Sequence, residues 1–330
     1  MSLPDPTPRR RIVVLLGMHR AGTSVTMNVL NALGVPLSDD LMPPTTFNAK
    51  GYFESLEISK VHDEILKLFG MLWSSSTITH PLPPNWWRLP QVAPFKAQLV
   101  QIVSREFDKA GSIWGFKDPR TARLLPLWFE VIDELRLEPK YVLVTRHPSD
   151  VAKSLYARER VQPLHAELLW LEHNFDVLAY TRGKLDATID YQQWFEDPLA
   201  QATYLIERIG LEKPPDLKDL LDGIVASDLR HHATVERTFQ LPFCLELYDA
   251  LLRRDTPTLD ALTNFFQVSR NFSQVVVGSV QRELIARVNA ANAVAQERSA
   301  EVAKLEQLIA TIGSNQSAPP EIQFTTPDHQ

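Results

Sequence analysis

The stretch "LLGMHRAGTSVTMNVL", residues 15–30, decides the fold of this chain. Its spacing from Gly17 to Ser24 is that of a phosphate-binding loop, but Thr23 stands at the position where such loops carry lysine. The apolar run "RIVVLL" before the loop is typical of a strand buried on both faces of a parallel sheet. After the loop, Thr23–Leu33 has the apolar spacing of a helix. We therefore expect the first half of a β–α–β unit here.

Strand and helix patterns alternate after this loop. Three further strands are predicted, at Ser112–Phe116, Tyr141–Thr145 and Ala187–Tyr191. Helical patterns lie at Glu54–Phe69, Pro94–Lys109, Thr121–Leu137, Pro148–Arg158 and Pro163–Arg182. Such alternation is typical of an α/β fold, so we predict a phosphate-loop-like parallel sheet flanked by helices, with a C-terminal helical extension. The order of the strands is left open.

Five segments are predicted along the chain. They are a flexible N-terminus (1–10), an α/β domain (11–245), a helical extension (246–283), a long amphipathic helix (284–310) and a disordered tail (311–330). The long helix carries a heptad series at Leu284, Val288, Ala291, Ala295, Arg298, Val302, Leu305 and Ile309. This coiled-coil-like helix either joins a second copy or another partner, or packs back on the α/β domain.

Composition narrows the classes of function. Hydrophobic residues make up 44% and charged residues 22% of the chain, as in ordinary globular proteins, and a net charge of −6 does not suit a general nucleic-acid binder. The single cysteine, Cys244, cannot form a disulfide within the chain. The apolar run Ile12–Leu16 is short for a secretory signal, and no run approaches the ~20 apolar residues of a membrane span. We expect a cytoplasmic protein with neither a nucleic-acid partner nor a membrane span.

Two anion sites are predicted at the ends of two strands. Backbone N–H groups from Arg20 to Ser24 would face a phosphate at the positive end of the following helix. Arg146 directly follows a buried strand, and Ser154 lies on the next predicted helix, so a guanidinium fork and a hydroxyl can hold a second phosphate. Two such sites fit a nucleotide with phosphates at both its 5′ and 3′ positions. A glycine turn with no ligand stays an alternative for the loop.

Taken in order, "GMHRAGTS" and "TRHPSDVAKS" resemble the two-part signature of sulfotransferases that use 3′-phosphoadenosine-5′-phosphosulfate (PAPS). "GFKDPRT" is similar to a segment of the tyrosylprotein sulfotransferases, and "TIDYQQWFEDP" to the strand and helix that follow the 3′-phosphate site. "FNAKGYFES" and "ASDLRHH" resemble bacterial sulfotransferases found with polysaccharide genes. The resemblance covers roughly residues 11 to 235.

The resemblance implies a sulfate donor, an acceptor and a set of binding residues. PAPS would be the donor with no metal required, and a sugar or glycoconjugate would supply the acceptor hydroxyl. The residues implied in nucleotide binding are His19, Arg20, Ala21, Gly22, Thr23, Ser24, Arg146, Ser154 and Arg230.

The resemblance also implies catalytic roles. Arg20 would contact the transferred group, and Lys117 would stabilise the bridging oxygen as charge builds on it. Glu54 would act as the general base, as a glutamate does in tyrosylprotein and heparan sulfate sulfotransferases. Alternatives stay open, because Glu54 could instead cap a helix and either His19 or Asp118 could be the base. Asp118 could also orient its cationic neighbours.

Some features depart from the family, and two other functions stay open. The acidic residue expected after Tyr191 is absent, and the catalytic histidine of the cytosolic small-molecule enzymes has no obvious counterpart. One alternative function is a kinase or nucleoside triphosphatase that binds ATP with Mg²⁺, although Thr23 disfavours it. The other is a non-enzymatic nucleotide-fold module that carries a coiled-coil scaffold.

Overall fold

A computed structural model describes residues 9–45, 51–72, 82–225 and 240–314. This part of the chain contains a sheet of four parallel strands, β1 (Arg11–Leu16), β2 (Ile113–Lys117), β3 (Glu138–Thr145) and β4 (Leu185–Asp190), in the order β2-β1-β3-β4. All four predicted strands and the parallel α/β architecture are confirmed.

Two strands begin earlier than predicted, β4 at Leu185 rather than Ala187 and β3 by three residues. β3 starts at Glu138 rather than Tyr141, because Glu138 pairs with Arg11 of β1 and its N–H bonds the Arg10 carbonyl at 2.9 Å. The segment "EPK" has no apolar pattern. Pairing with β1 makes it a strand, and Pro139 also disfavours helical backbone at Glu138. A register shift between Tyr141 and Val142 accompanies its pairing with β4.

Helices fill the connections between the strands. They are α1 (Thr23–Ala32), α2 (Leu56–Leu68), α3 (Ala93–Ala110), α4 (Thr121–Glu134), α5 (Pro148–Glu159), α6 (Pro163–Thr181), α7 (Gln193–Glu196), α8 (Pro198–Ile209), α9 (Leu217–Ile224), α10 (Phe243–Arg253) and α11 (Thr256–Ser314). The six predicted helices correspond to α1–α6, and each differs at its ends by a turn or less. Proline at the first turn of α5 and α6 starts both helices, since its missing N–H would have no helical partner there.

The sheet is buried on both faces, as the continuous apolar run of β1 predicts. Ile12, Val14 and Leu16 pack into a core with side chains of α2, α3, α4 and α6. Val13 and Leu15 point the other way and pack with α1, α8 and α9. Each of these five side chains is fully buried, and burial of one such side chain stabilises the fold by about 1.5–3 kcal/mol.

The strand order determines where a ligand can bind. After β1 the chain adds β2 on one side and then crosses to place β3 on the other side. In open α/β sheets, ligands lie outside the carboxyl ends of the strands at such a change of direction. The ends of β1, β2 and β3 are therefore adjacent at one edge of the sheet.

The chain divides into two compact units, Met1–Val268 and Ser269–Gln330. In the second unit α11 continues to Ser314, and the heptad residues Val302 and Leu305 are 53% and 58% exposed. The predicted segment boundaries and the coiled-coil pairing stay predictions. Within the described ranges, none of the helices combines the length and apolarity needed to cross a membrane.

Candidate active site

The loop between β1 and α1 depends on two glycines. A Cβ at Gly17 would lie 2.5 Å from the Val144 carbonyl oxygen, and one at Gly22 would overlap the Tyr191 ring. Gly22 has φ 95° and precedes α1, and Arg20 is also left-handed with φ 70°. Turns of this kind gather successive backbone N–H groups into a concavity that binds anions. The loop therefore has the geometry of a phosphate site at a helix N-terminus.

A lysine from the neighbouring strand stands in for the one missing from the loop. Lys117 ends β2 and pairs in register with Leu15 of β1. Its Nζ donates to Thr23 Oγ1 at 3.3 Å and to Ser24 Oγ at 3.4 Å. An ammonium group thus lies against the loop although residue 23 is threonine.

Glu54 is the ion-pair partner of this lysine. Lys117 Nζ donates to Glu54 Oε1 at 2.7 Å, and the two residues are only 3% and 7% exposed. Burial raises the pKa of the Glu54 carboxyl; the Lys117 ammonium opposes this shift and the Asp118 carboxylate adds to it. A buried carboxylate with a raised pKa can accept a proton near neutral pH.

Glu54 does not cap α2. Ser55 is the N-cap, and its Oγ accepts from the Ile58 N–H at 3.2 Å and donates to Asp40 Oδ2 at 3.0 Å. The capping alternative for Glu54 is therefore wrong, which leaves its carboxylate available to Lys117.

Asp118 is enclosed by donors. It accepts from the Arg120 N–H at 2.8 Å, from Arg120 Nη1 at 3.0 and 3.1 Å, and from Ser59 Oγ at 2.8 Å, and His62 Nδ1 faces it at 3.4 Å. Burial alone would raise the pKa of this carboxyl, but the Arg120 guanidinium and the His62 ring outweigh it and hold the pKa well below its usual range. Such a carboxylate is a weak base, and its contacts fit the alternative in which Asp118 orients Arg120.

We expect Asp118→Asn to lower the free energy of unfolding by about 3–5 kcal/mol, because the change leaves the buried Arg120 without its main counter-charge. The folded-state pKa of Asp118 is depressed, so its stabilisation is present above the ordinary aspartate pKa of about 4 and is lost as pH falls through the lower native value. Urea unfolding at pH 7 measures the effect. The exposed ion-pair residue Asp39, changed to asparagine, is the control and should leave the midpoint unchanged. Equal midpoints for both variants would contradict the expectation.

Arginines line the ends of β1 and β3. Arg20 Nε donates to Ser154 Oγ at 2.8 Å, and Arg146 Nη1 donates to the Arg20 carbonyl at 3.3 Å. Burial, followed by Arg158 and then Arg146, lowers the pKa of the Arg20 guanidinium. Repulsion between partly desolvated cations is relieved when an anion binds among them.

The structure brings most of the predicted binding residues together. Arg20 contacts both residues of the second predicted anion site, because its Nε donates to Ser154 Oγ and its carbonyl accepts from Arg146 Nη1. Its contact with the transferred group stays a prediction. His19 packs edge-on against His173 at 6.3 Å between ring centroids, and burial, followed by His173, lowers the pKa of His19 well below its usual value. Ala21 is buried in the loop. The predicted Arg230 lies outside the described residues.

Two contacts of Arg146 were missed by the sequence analysis. The Arg146 guanidinium lies over the Tyr191 ring at 4.5 Å, and Trp170 Nε1 donates to the Arg146 carbonyl at 3.0 Å. Tyr191 follows β4 directly, so the rule that ligands gather at strand ends could have identified it. No sequence signal indicated Trp170, which lies on α6.

No protein-family model and no curated protein sequence matches the chain. Among solved structures, the sulfotransferase domain of the Synechococcus PCC 7002 olefin synthase matches 80% of this chain over 97% of its own length, with 19% identity and a TM-score of 0.46. The match to the sulfotransferase domain of the curacin biosynthetic pathway covers 64% of this chain and 77% of the length of that domain, with 16% identity and a TM-score of 0.38. The match to a sulfotransferase of Mycobacterium tuberculosis H37Rv covers 64% of this chain and 71% of the length of that protein, with 14% identity and a TM-score of 0.38.

All three solved neighbours are sulfotransferases. Likenesses this distant carry no weight for the activity of this chain, which has to be inferred from the residues of the site.

Proposed function

We propose that this protein is a sulfotransferase that moves the sulfuryl group of PAPS to a hydroxyl acceptor. The observation that supports this most is the buried Lys117–Glu54 pair, which lies against Thr23 and Ser24 of the phosphate loop. Transfer forms a bond from the acceptor oxygen to sulfur and breaks the bond from sulfur to the bridging phosphate oxygen. Glu54 takes the acceptor's proton, and Lys117 donates a hydrogen bond to the departing oxygen.

The proposed donor site uses both anion sites at the sheet edge. Backbone N–H groups between Arg20 and Ser24 would hold the 5′ phosphate, apart from that of Ala21, which bonds the Met18 carbonyl at 3.1 Å. Arg146 and Ser154 would hold the 3′ phosphate, with Arg20 beside them. The clustered arginines suit a ligand that brings negative charge into the site.

One contact favours sulfuryl transfer over a magnesium-dependent kinase. In nucleoside triphosphatases the hydroxyl at the Ser24 position binds Mg²⁺. Here that hydroxyl donates to the Tyr52 carbonyl and accepts from Lys117 Nζ, both at 3.4 Å, so its hydrogen-bonding roles are already taken by the protein. The carboxylate of Asp118 is held by Arg120, Ser59 and His62. The donor therefore needs no metal in the proposed reaction.

The identity of the acceptor rests on the sequence resemblance alone. We propose a sugar or glycoconjugate hydroxyl and a bacterial source on that basis. A cytoplasmic location is proposed from the short apolar run Ile12–Leu16, and a homo-oligomer or other partner through residues 284–310 from the heptad series. Transfer of radiolabelled sulfate from PAPS to a panel of sugars and phenols would identify the acceptor. Labelling of phenols alone would reject the sugar.

The test of the donor is a calorimetric titration with 3′-phosphoadenosine-5′-phosphate (PAP). We expect PAP to bind without magnesium, and Arg146→Ala to weaken it about 10- to 100-fold, because one charge-assisted phosphate contact is worth about 1.5–3 kcal/mol. Arg160→Ala is the matched control, since Arg160 is exposed at the end of α5 and stacks on Tyr156.

Each outcome of this titration selects one function. Preference for ADP with magnesium would support the kinase alternative and reject the sulfotransferase. Failure of both nucleotides to bind would support the non-enzymatic module. Equal loss in Arg146→Ala and Arg160→Ala would reject the proposed 3′-phosphate contact.

A further inference from the structure

We propose that a largely buried network, Ser59, His62, Asp63, Asp118 and Arg120, positions Glu54 against Lys117. We call these five residues the brace. The inference deepens the function proposed above and rests on it. None of the five residues of the brace is among those proposed to hold the nucleotide, so its members are positioning residues in a role that is separate from binding.

The brace joins the first two turns of α2 to the end of β2. From α2, Ser59 Oγ donates to Asp118 Oδ2 at 2.8 Å, and Asp63 Oδ1 accepts from Arg120 Nε at 2.7 Å. From the β2 side, the Asp118 carboxylate accepts both the backbone N–H and the guanidinium of Arg120. Asp118 and Arg120 thus bind each other, and each also binds a side chain of α2: Asp118 binds Ser59, and Arg120 binds Asp63.

The remaining member of the brace, His62, is oriented by a hydrogen bond from Trp128. Trp128 Nε1, which can only donate, bonds His62 Nε2 at 2.9 Å, so the proton of the neutral ring is on Nδ1. That nitrogen faces Asp118 Oδ2 at 3.4 Å. The Trp128 ring stacks on Phe116 of β2 with centroids 4.1 Å apart. His62 therefore connects α2 to β2 a second time.

The two proposed catalytic groups lie directly beside the brace in the chain. Lys117 precedes Asp118, and Glu54 precedes Ser55, the cap of α2, one turn before Ser59. Glu54 itself lies in an irregular segment, where the N–H of Met42 bonds its carbonyl at 2.7 Å. The position of Glu54 relative to β2 is consequently set by where the brace holds the start of α2. A displacement of about 1 Å in a catalytic group can lower a rate about 100-fold.

The test removes one hydroxyl and leaves every charge in place. We expect Ser59→Ala to lower kcat about tenfold with the best acceptor of the sulfate-transfer panel, while the affinity for PAP stays within about twofold of wild type. The pKa of Glu54 can be followed by ¹³C NMR of carboxyl-labelled glutamate and should rise further in this variant. The Lys117 ammonium lowers this pKa, and a longer distance between the two groups weakens that effect. Asp63→Asn should also lower kcat with PAP affinity kept, and Asp63 is partly exposed, so this variant should fold.

Thr181→Val is the matched control, because it also removes a buried hydroxyl, one that bonds the Val177 carbonyl within α6. It should leave kcat and the pKa of Glu54 unchanged. A lower melting temperature in Ser59→Ala with unchanged kcat and unchanged Glu54 pKa would overturn the proposal and leave the brace a purely structural network. If wild type transfers no sulfuryl group, the proposed function fails, and the Glu54 pKa in Ser59→Ala alone decides for or against the positioning role.

Discussion

Replacing Glu54 by glutamine is expected to lower kcat for sulfuryl transfer about 10²- to 10⁴-fold, the usual contribution of a positioned general base. Glutamine keeps the size of the side chain and can still accept a hydrogen bond from Lys117, but it cannot take the acceptor's proton. PAP binding should change little, because the base acts on the acceptor. Steady-state kinetics and the PAP titration together separate these effects.

The pH dependence gives the same prediction a second readout. The base must be ionised, so kcat/KM should fall as pH falls through the pKa of Glu54. Burial raises that pKa. The fall of kcat/KM at low pH, the acid limb of the profile, should therefore be centred above the ordinary glutamate pKa of about 4.3. In Glu54→Gln the limb should disappear.

The matched control for this prediction is Glu57→Gln. Glu57 is an exposed carboxylate in the first turn of α2 that pairs with Arg105, so its loss should leave both rate and pH profile unchanged. A Glu54→Gln enzyme with the wild-type rate would show that another group is the base. Of the two other candidates, the pKa of His19 is lowered by burial and that of Asp118 by the Arg120 guanidinium, so the variants His19→Gln and Asp118→Asn would have to identify the base.

Replacing Lys117 by methionine is expected to lower kcat/KM about 10²- to 10³-fold, the typical loss when one preorganised donor to a developing charge is removed. Methionine fills a similar volume and carries no charge. Because Lys117 opposes the rise in the pKa of Glu54, its loss should also move the acid limb to higher pH.

Lys140→Met is the control for this second variant. Lys140 lies near the start of β3, at the opposite end of the sheet, and pairs with Glu138 and Asp186. Its loss should not affect catalysis. If Lys117→Met weakens PAP binding and leaves kcat unchanged, Lys117 is a binding residue only and its catalytic role is rejected.

The sequence by itself determined the layout of the fold. The apolar run of β1 predicted a strand buried on both faces, and strand and helix patterns placed β1–β4 and α1–α6 to within about a turn. These features depend on residues close in sequence, so local periodicity and proline or glycine at helix ends suffice to locate them. The start of β3 was missed because its first residues have no apolar pattern, and their place in the sheet depends on pairing with β1.

The tertiary structure alone decided which side chains meet. Lys117 reaches Thr23, Ser24 and Glu54 only because β2 lies beside β1, and a single sequence does not reveal that neighbour. Arg20 likewise meets Ser154, 134 residues along the chain, because β3 flanks β1 on its other side. Hydrogen bonds between residues so far apart follow from strand order and packing, which depend on the whole chain. The missing loop lysine was visible in the sequence, and its replacement from another strand was visible only in the fold.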